Sequence, residues 1–288
     1  MISGKTAVYG LIGDPVEHSL SPAMQNAAFK ALDLDCVFLA FKVSAADVED
    51  ALLGMRSLAV QGLNVTMPHK SSVIPHLDEI DETAKLLDSV NTILNHHGKL
   101  RGFSTDGAGA RHALEENGAN LSGKRLVLLG AGGAAKAIAY ELAKEVSELI
   151  LLNRTPAKTE PLAQVINEKI NKNVVTGSLS PEIVQKSLRD ADILINATST
   201  GMHPRPTESL VKPAWLKPNL VVMEIVYNPL ETKLTRDAKR AGAKVISGLE
   251  MLIYQGATSF EIWTGKPAPV EIMRKAAQSQ IKGGDRHQ

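Results

Sequence analysis

The sequence predicts an α/β protein of two α/β domains, the second organised on a parallel sheet. Three observations carry this reading. The chain has 288 residues, more than one hydrophobic core usually serves. From Arg125 onward short apolar strands alternate with helical segments, the rhythm of a parallel sheet covered on both faces. Where that rhythm begins stands Gly130-Ala131-Gly132-Gly133-Ala134-Ala135, a glycine-rich turn between an apolar strand and a helix.

In the N-terminal part, residues 8–12 and 37–41 read as short buried strands, and residues 22–32 and 45–58 carry apolar residues at helical spacing. Ser21 ahead of Pro22 marks the first helix start, serine at the cap and proline at the first helical position. Residues 63–66, 90–95 and 100–103 are further strands, with His96-His97-Gly98-Lys99 as the hairpin turn between the latter pair. Residues 106–117 form a helix with Asp106 near its N-terminus. The turn-rich stretch 118–123 sets the boundary, giving a first domain over 1–118.

In the second domain, 119–248, strands are expected at 125–129, 148–152, 174–176, 193–195, 220–224 and 244–246, with helices at 134–144 and 156–171. Residues 251–263 and 270–281 are helical and form a C-terminal segment, 249–288, expected to pack back on the first domain. The tail 283–288 reads as frayed.

The glycine turn fits the dinucleotide-binding fingerprint of a Rossmann-type domain. Gly130 allows the tight turn, Gly132 lets the backbone approach a pyrophosphate, and Ala135 permits close helix–sheet packing. The next strand ends in Asn153-Arg154-Thr155, with Lys158 four residues after Arg154. An NAD site usually carries Asp or Glu there to bond the ribose hydroxyl, whereas guanidinium and ammonium groups suit a 2′-phosphate. The cofactor expected is NADP, and the chemistry hydride transfer.

Hydride transfer to a carbonyl also needs a proton at the substrate oxygen. Two polar residues stand where the chain leaves a strand. The run Asn64-Val65-Thr66 stops at Pro68, whose missing N–H cannot continue a ladder, and Lys70 follows. Asp106 follows Ser104-Thr105. Each alone is more often a surface group or a helix cap than a catalyst, and spacing does not bring them together.

Taken in order, these segments resemble the shikimate dehydrogenases over nearly the whole chain. The resemblance rests on His18-Ser19-Leu20-Ser21-Pro22, Asn64 to Lys70, Val90-Asn91-Thr92, Ser104-Thr105-Asp106-Gly107, Gly130 to Ala134, Asn153-Arg154-Thr155, Asn196-Ala197-Thr198 and Tyr254-Gln255-Gly256-Ala257. It implies reversible, NADPH-dependent reduction of 3-dehydroshikimate to shikimate, with Lys70 and Asp106 as the acid–base pair. It implies that Ser19, Ser21 and Tyr227 hold the substrate carboxylate, and that Thr66, Asn91 and Gln255 bind the carboxylate or ring hydroxyls. On the cofactor side it assigns Gly130, Ala131, Gly132, Gly133, Ala134, Asn153, Arg154, Thr155, Lys158, Ile225 and Gly248, with Thr198 and Glu82 as neighbours. His69 is read as structural or peripheral. Three positions depart from the family's usual residues: Ser104, often Asn; Glu224, often Asp; and Glu250, often Gly. A quinate-accepting relative with relaxed NAD/NADP use, and a non-catalytic dinucleotide-binding regulator, stay open as alternatives.

Composition narrows the partners. With 44% hydrophobic and 22% charged residues the chain reads as an ordinary globular protein, and its formal charge of +1 gives no argument for nucleic acid or an anionic membrane. No apolar run approaches the roughly 20 residues of a membrane span, and no metal spacing occurs among the histidines. The single cysteine, Cys36, excludes an internal disulfide and fits a reducing cytoplasm, as does an N-terminus without a signal-peptide pattern. A small-molecule substrate is the expected partner, with a homodimer left open.

Overall fold

The structure is a computed structural model, and it describes residues 2–284, with side chains described to Ile281. Of the tail expected to fray, residues 285–288 lie outside the described residues. The chain divides into two compact units. One takes in the residues up to Thr105 together with those from Ile253 on; the other is Asp106–Leu252.

The first unit holds a six-stranded mixed sheet. Its strands are β1 (Ala7–Gly13), β2 (Cys36–Lys42), β3 (Gly62–Val65), β4 (Glu79–Ile80), β5 (Thr92–His96) and β6 (Lys99–Phe103), in spatial order β2-β1-β3-β5-β6-β4. β1, β2 and β3 are parallel, and β3, β5 and β6 are antiparallel. The β5–β6 hairpin turns at His97 and Gly98, both at positive φ (54° and 87°), as the tight turn at His96–Lys99 requires. Helix α1 (Ser21–Ala31) lies against β1 and β2, while α2 (Val48–Ser57) and α3 (Glu82–Leu87) set Val48, Leu52, Met55 and Ala84 into one core with Ile12, Leu63, Val65 and Ile93 of the sheet.

The second unit is a parallel sheet throughout. Its strands are β7 (Arg125–Leu129), β8 (Glu148–Asn153), β9 (Val174–Ser178), β10 (Ile193–Asn196), β11 (Val221–Glu224) and β12 (Lys244–Ile246), in order β12-β11-β10-β7-β8-β9. This is the doubly wound dinucleotide-binding order, with its switch point between β7 and β10. Its helices are α4 (Asp106–Glu116), α5 (Gly133–Ala143), α6 (Glu160–Ile170), α7 (Pro181–Leu188) and α8 (Lys233–Arg240). Leu126, Val127, Leu128 and Leu129 are all fully buried, as an unbroken apolar run in a two-faced sheet demands. Helix α9 (Gly248–Thr264) runs across the division into the first unit, where α10 (Val270–Gly284) packs against α1.

Several element ends differ from the sequence reading, each for a local hydrogen-bonding reason. The helix expected over 45–58 opens as a 3₁₀ turn, Ala45–Asp47, because Ser44 Oγ accepts the Ala46 N–H. The helix expected over 156–171 likewise divides into a 3₁₀ turn, Pro156–Lys158, and α6, with the buried Thr159 hydroxyl donating back to the Pro156 carbonyl. Helix α3 went unread. It is one and a half turns long, and its start depends on Asp81 accepting the Thr83 and Ala84 N–H groups. Helix α1 starts one residue early. Ser21 is its first residue rather than its cap, and Ser19 Oγ accepts the Ser21 N–H at 3.2 Å.

Candidate active site

In the second unit the site is made by backbone. Gly130 leaves β7 with φ of +116°, a conformation L side chains rarely adopt. A Cβ there would stand 2.7 Å from the Ala197 carbonyl oxygen and 3.3 Å from Thr198 Cγ2, so the turn after β7 and the turn after β10 touch at the switch point only because the residue is glycine. Over Gly132 the space is open within 4 Å. Gly132 precedes α5, whose N-terminus carries no side-chain cap and no acidic residue in its first turn. Unpaired N–H groups facing open space, without a competing carboxylate, form a fitting cradle for a phosphate.

A pocket of about 180 Å³ joins this turn to the end of β8. It is lined by Ala131, Gly132, Asn153, Arg154, Thr155 and Lys158. Asn153 donates to the Thr155 carbonyl at 2.9 Å, which fixes the loop carrying the two cations. Arg154 and Lys158 are exposed, and neither joins an ion pair among the described residues. Two cations and no carboxylate at the pocket suit a dinucleotide bearing a 2′-phosphate.

Ile225 and Gly248 also meet. A Cβ on Gly248 would stand 2.4 Å from the Ile225 carbonyl oxygen, so α9 can begin against the exit of β11 only with glycine there. Glu250 lies in the first turn of α9, where the helix dipole favours a carboxylate; that is a physical reason for the departure from the family's usual glycine. Tyr227 is partly buried in the loop after β11, and burial pushes its phenol above the ordinary value. Asp106 is buried at the first position of α4. Gly107 beside it lets α4 lie against α5, since a Cβ would stand 2.5 Å from the Ala137 carbonyl oxygen; Arg111 adds an ion pair to Glu141 at 3.1 Å. Asp106 is thereby held on a helix packed against the one that opens at the glycine turn.

In the first unit the site is made by side chains. Asn91 is 3% exposed. Its Nδ2 donates to Thr105 Oγ1 at 2.9 Å and to Gln255 Oε1 at 3.2 Å, and its Oδ1 accepts the Thr105 N–H at 2.8 Å. Behind it, Asn64 Nδ2 points to the Asn91 carbonyl, Thr92 Oγ1 and Ser259 Oγ, and Ser259 and Thr92 share a 2.7 Å hydrogen bond. This network ties β3, β5, the end of β6 and α9 together, and so orients Asn91 and Gln255.

Lys70 is partly buried in the turn after β3. Its carbonyl accepts the Val90 N–H at 2.8 Å, which sets its backbone beside the segment that leads through Asn91 into β5. His69 is 1% exposed, and its Nε2 donates to the Val43 carbonyl at 2.7 Å, so its ring supports the turn, as the sequence reading held. Thr66 is anchored by its N–H to the Ile12 carbonyl. Ser19 and Ser21 sit together at the start of α1, and the buried Ser21 hydroxyl makes no hydrogen bond among the described residues. Glu82 is exposed in the first turn of α3, where the helix N-terminus accounts for a carboxylate. Among the described residues no cluster of His, Cys, Asp or Glu could hold a metal, and no helix is long and apolar enough to cross a membrane.

Comparison with known proteins agrees with this division. Residues 11–93 match the shikimate dehydrogenase substrate binding domain, 111–225 the shikimate/quinate 5-dehydrogenase family, and 248–278 the shikimate 5′-dehydrogenase C-terminal domain. A curated shikimate dehydrogenase (NADP+) of Methanopyrus kandleri is 46% identical over 284 residues, 98% of each chain. The chain belongs to the shikimate dehydrogenase family. Its likeness to the Methanocaldococcus jannaschii shikimate dehydrogenase (NADP+) is 47% identity over 286 residues, 98% of this chain and 99% of that one. A crystal structure of a shikimate dehydrogenase in complex with NADP+ superposes with a TM-score of 0.92 at 48% identity, covering 98% of each chain.

Of the site residues this dehydrogenase was expected to use, the structure brings Asn91 and Gln255 together, Ser19 and Ser21, Gly130 and Thr198, Arg154 and Lys158, and Ile225 and Gly248. The supporting residues Asn64, Thr92, Ser259, Asn196 and Glu224 were not among those expectations. The signal available in the sequence was their polarity inside apolar strands and helices.

Proposed function

We propose that the protein is an NADP-dependent shikimate dehydrogenase, interconverting 3-dehydroshikimate and shikimate. The observation that carries the cofactor reading is the pocket joining the Gly132 turn to Arg154 and Lys158 with no carboxylate at the strand end. Gly130 to Ala134 would take the pyrophosphate, Arg154 and Lys158 the 2′-phosphate, and Thr198, Ile225 and Gly248 the nicotinamide half. When bound, NADP supplies or accepts the hydride.

The chain's own residues supply the rest. In reduction, the substrate carbonyl gains a hydride at carbon and a proton at oxygen. Lys70 is assigned as the proton donor, returning to the ammonium form from solvent, and Asp106 as its partner in the acid–base pair; oxidation reverses the transfer. Asn91 and Gln255 are pre-oriented by their mutual hydrogen bond and by Thr105, so short neutral groups meet the ring hydroxyls without rearrangement. Ser19, Ser21 and Thr66, with Tyr227, are assigned to the carboxylate. We assign substrate binding to the first unit and the dinucleotide to the second, and the unpaired Cys36 supports a cytoplasmic location.

The test is shikimate-dependent reduction of NADP at mildly alkaline pH, run side by side with quinate and with NAD. Turnover of shikimate with NADP well above the other three combinations is the expected result. Equal or greater rates with quinate and NAD would move the reading to the quinate enzymes, and no turnover in any combination would overturn it.

A further inference from the structure

Glu224, the last residue of β11, is a carboxylate with no exposed surface and no ion pair among the described residues. Its recorded partners are all neutral donors. Asn196 Nδ2 lies 2.9 and 3.0 Å from its two oxygens, the Val226 N–H donates to Oε1 at 3.1 Å, and the Thr232 hydroxyl donates to Oε2 at 3.1 Å. The carboxylate therefore binds the end of β10, the exit of β11 and the first residue before α8.

The chain of contacts continues toward the crevice. Because Asn196 turns its amide nitrogen to Glu224, its Oδ1 faces the other way. There it accepts the Thr198 hydroxyl at 2.7 Å and the Thr198 N–H at 3.2 Å. Thr198 Oγ1 in turn accepts the Thr200 N–H, and Asn196 Nδ2 reaches the Thr200 carbonyl. Thr198 is the residue whose methyl stands 3.3 Å from the Cβ position of Gly130, over the dinucleotide turn. On the other side, the Val226 N–H bonded to Glu224 lies between Ile225 and Tyr227.

We propose that Glu224 is a positioning residue for the cofactor crevice: through Asn196 it fixes the Thr198 turn, and through Val226 and Thr232 it fixes the Ile225–Tyr227 loop. The inference rests on the NADP reading above. A carboxylate suits the place better than a neutral side chain, since an acceptor-only group satisfies donors arriving from three elements.

The arrangement has a direction with pH. Burial pushes the Glu224 carboxyl up from 4.5 to about 7, while Asn196, Val226, Thr232 and Ile225 pull against it. A carboxyl raised in the folded state favours folding in its protonated form, and that contribution is lost as pH rises from about 4.5 through about 7. The ionised form thus opposes stability while it orders the crevice, and protonation removes one acceptor position from the donors. Crevice order is expected to fall as pH drops through about 7.

The experiment compares the wild type with Glu224→Gln and Glu224→Asp, using NADP titration by fluorescence from pH 5.5 to 8.5, thermal unfolding, and hydrogen exchange of the NADP-free protein. Wild-type affinity is expected to weaken several-fold below pH 7. Glu224→Gln should bind NADP about tenfold more weakly at pH 8, lose that pH dependence, and exchange faster within 197–201 and 225–232 alone, with an unfolding midpoint that is not lowered. Glu224→Asp, keeping the carboxylate, should retain most of the affinity. Unchanged affinity and exchange in Glu224→Gln would overturn the proposal, as would a loss of binding that merely follows a lowered midpoint. If Glu224→Gln does not fold, the wild-type pH dependence of exchange in those two segments decides. If the wild type binds no NADP, the function reading fails, and the exchange experiment, which needs no cofactor, still tests Glu224.

Discussion

The two units solve the problem of a binding site in opposite ways. In Asp106–Leu252 the turn proposed for the dinucleotide is backbone held open by absent side chains: Gly130 against Ala197, Gly248 against Ile225, open space over Gly132. In the first unit the polar site is an interlocked set of neutral side chains, Asn64, Asn91, Thr92, Thr105, Gln255 and Ser259, drawn from strands and α9. A backbone cradle recognises charge and shape common to many ligands. A side-chain network presents particular donors and acceptors, and an analogue lacking one hydroxyl leaves a buried partner unpaired. Cofactor binding and substrate discrimination should therefore break separately.

The largest separation is expected at Lys70. Lys70→Ala should lower turnover by roughly 100- to 10,000-fold, the range general acid–base groups supply, with NADP affinity unchanged. Steady-state rates beside a direct NADP titration check this, and unchanged turnover refutes the role. Gly130→Ala breaks the other unit. It places a side chain at φ of +116° and 2.7 Å from a carbonyl oxygen, for a strain on the order of 1–3 kcal/mol, and NADP binding should weaken about 100-fold as the turn shifts. Arg154→Ala is milder and more selective. Losing a charge-assisted contact of roughly 1.5–3 kcal/mol should weaken NADP about tenfold to a hundredfold while leaving NAD nearly unaffected. Equal losses for both dinucleotides would remove Arg154 from the 2′-phosphate.

The same contrast explains what was legible in the sequence. A glycine whose purpose is backbone conformation announces itself locally, so Gly130 and its flanking strand and helix could be read as a tight strand–turn–helix. The parallel sheet was equally readable, since 126–129 is an unbroken apolar run. The first unit's network was not readable from spacing. Asn64 meets Ser259 195 positions away, and Asn91 meets Gln255 164 positions away. No periodicity links such residues; the family resemblance gave roles to Asn91 and Gln255, but none to Asn64, Thr92 or Ser259 behind them. Helix α3 and the shift of the first helix start were missed because Asp81 and Ser19 settle them through single side-chain-to-backbone bonds.

Asn64 tests whether the network carries stability as well as orientation. Asn64→Ala would remove the donor to the Asn91 carbonyl, Thr92 and Ser259 and leave acceptors buried, at a cost of about 1–3 kcal/mol. The unfolding midpoint should fall by several degrees and the KM for shikimate should rise, while NADP affinity stays. A change in NADP affinity with no change in KM would dissolve the contrast between the units.

The smallest effect expected sharpens the comparison where the two units are alike. Each tethers one carboxylate to the N–H of a strand: Asp78 to Leu100 in the first, with Arg56 beside it, and Asp192 to Arg125 in the second, with Lys124 beside it. The Arg125 N–H, followed by Lys124, holds the Asp192 carboxyl below its ordinary value of 3.8 against the opposing effect of burial. A lowered carboxyl contributes stability that is present above its unfolded value and lost as pH falls through its folded one. The group is 39% exposed, so solvent screening limits the contribution to ~0.5 kcal/mol. Asp192→Asn should lower the unfolding midpoint by about 1–2 °C at pH 7, and the deficit should shrink as pH falls below 3.8 and the tethered carboxyl is protonated. A deficit that persisted undiminished as the carboxyl is titrated with acid would mean that the residue acts through packing, not through the charge of its tether.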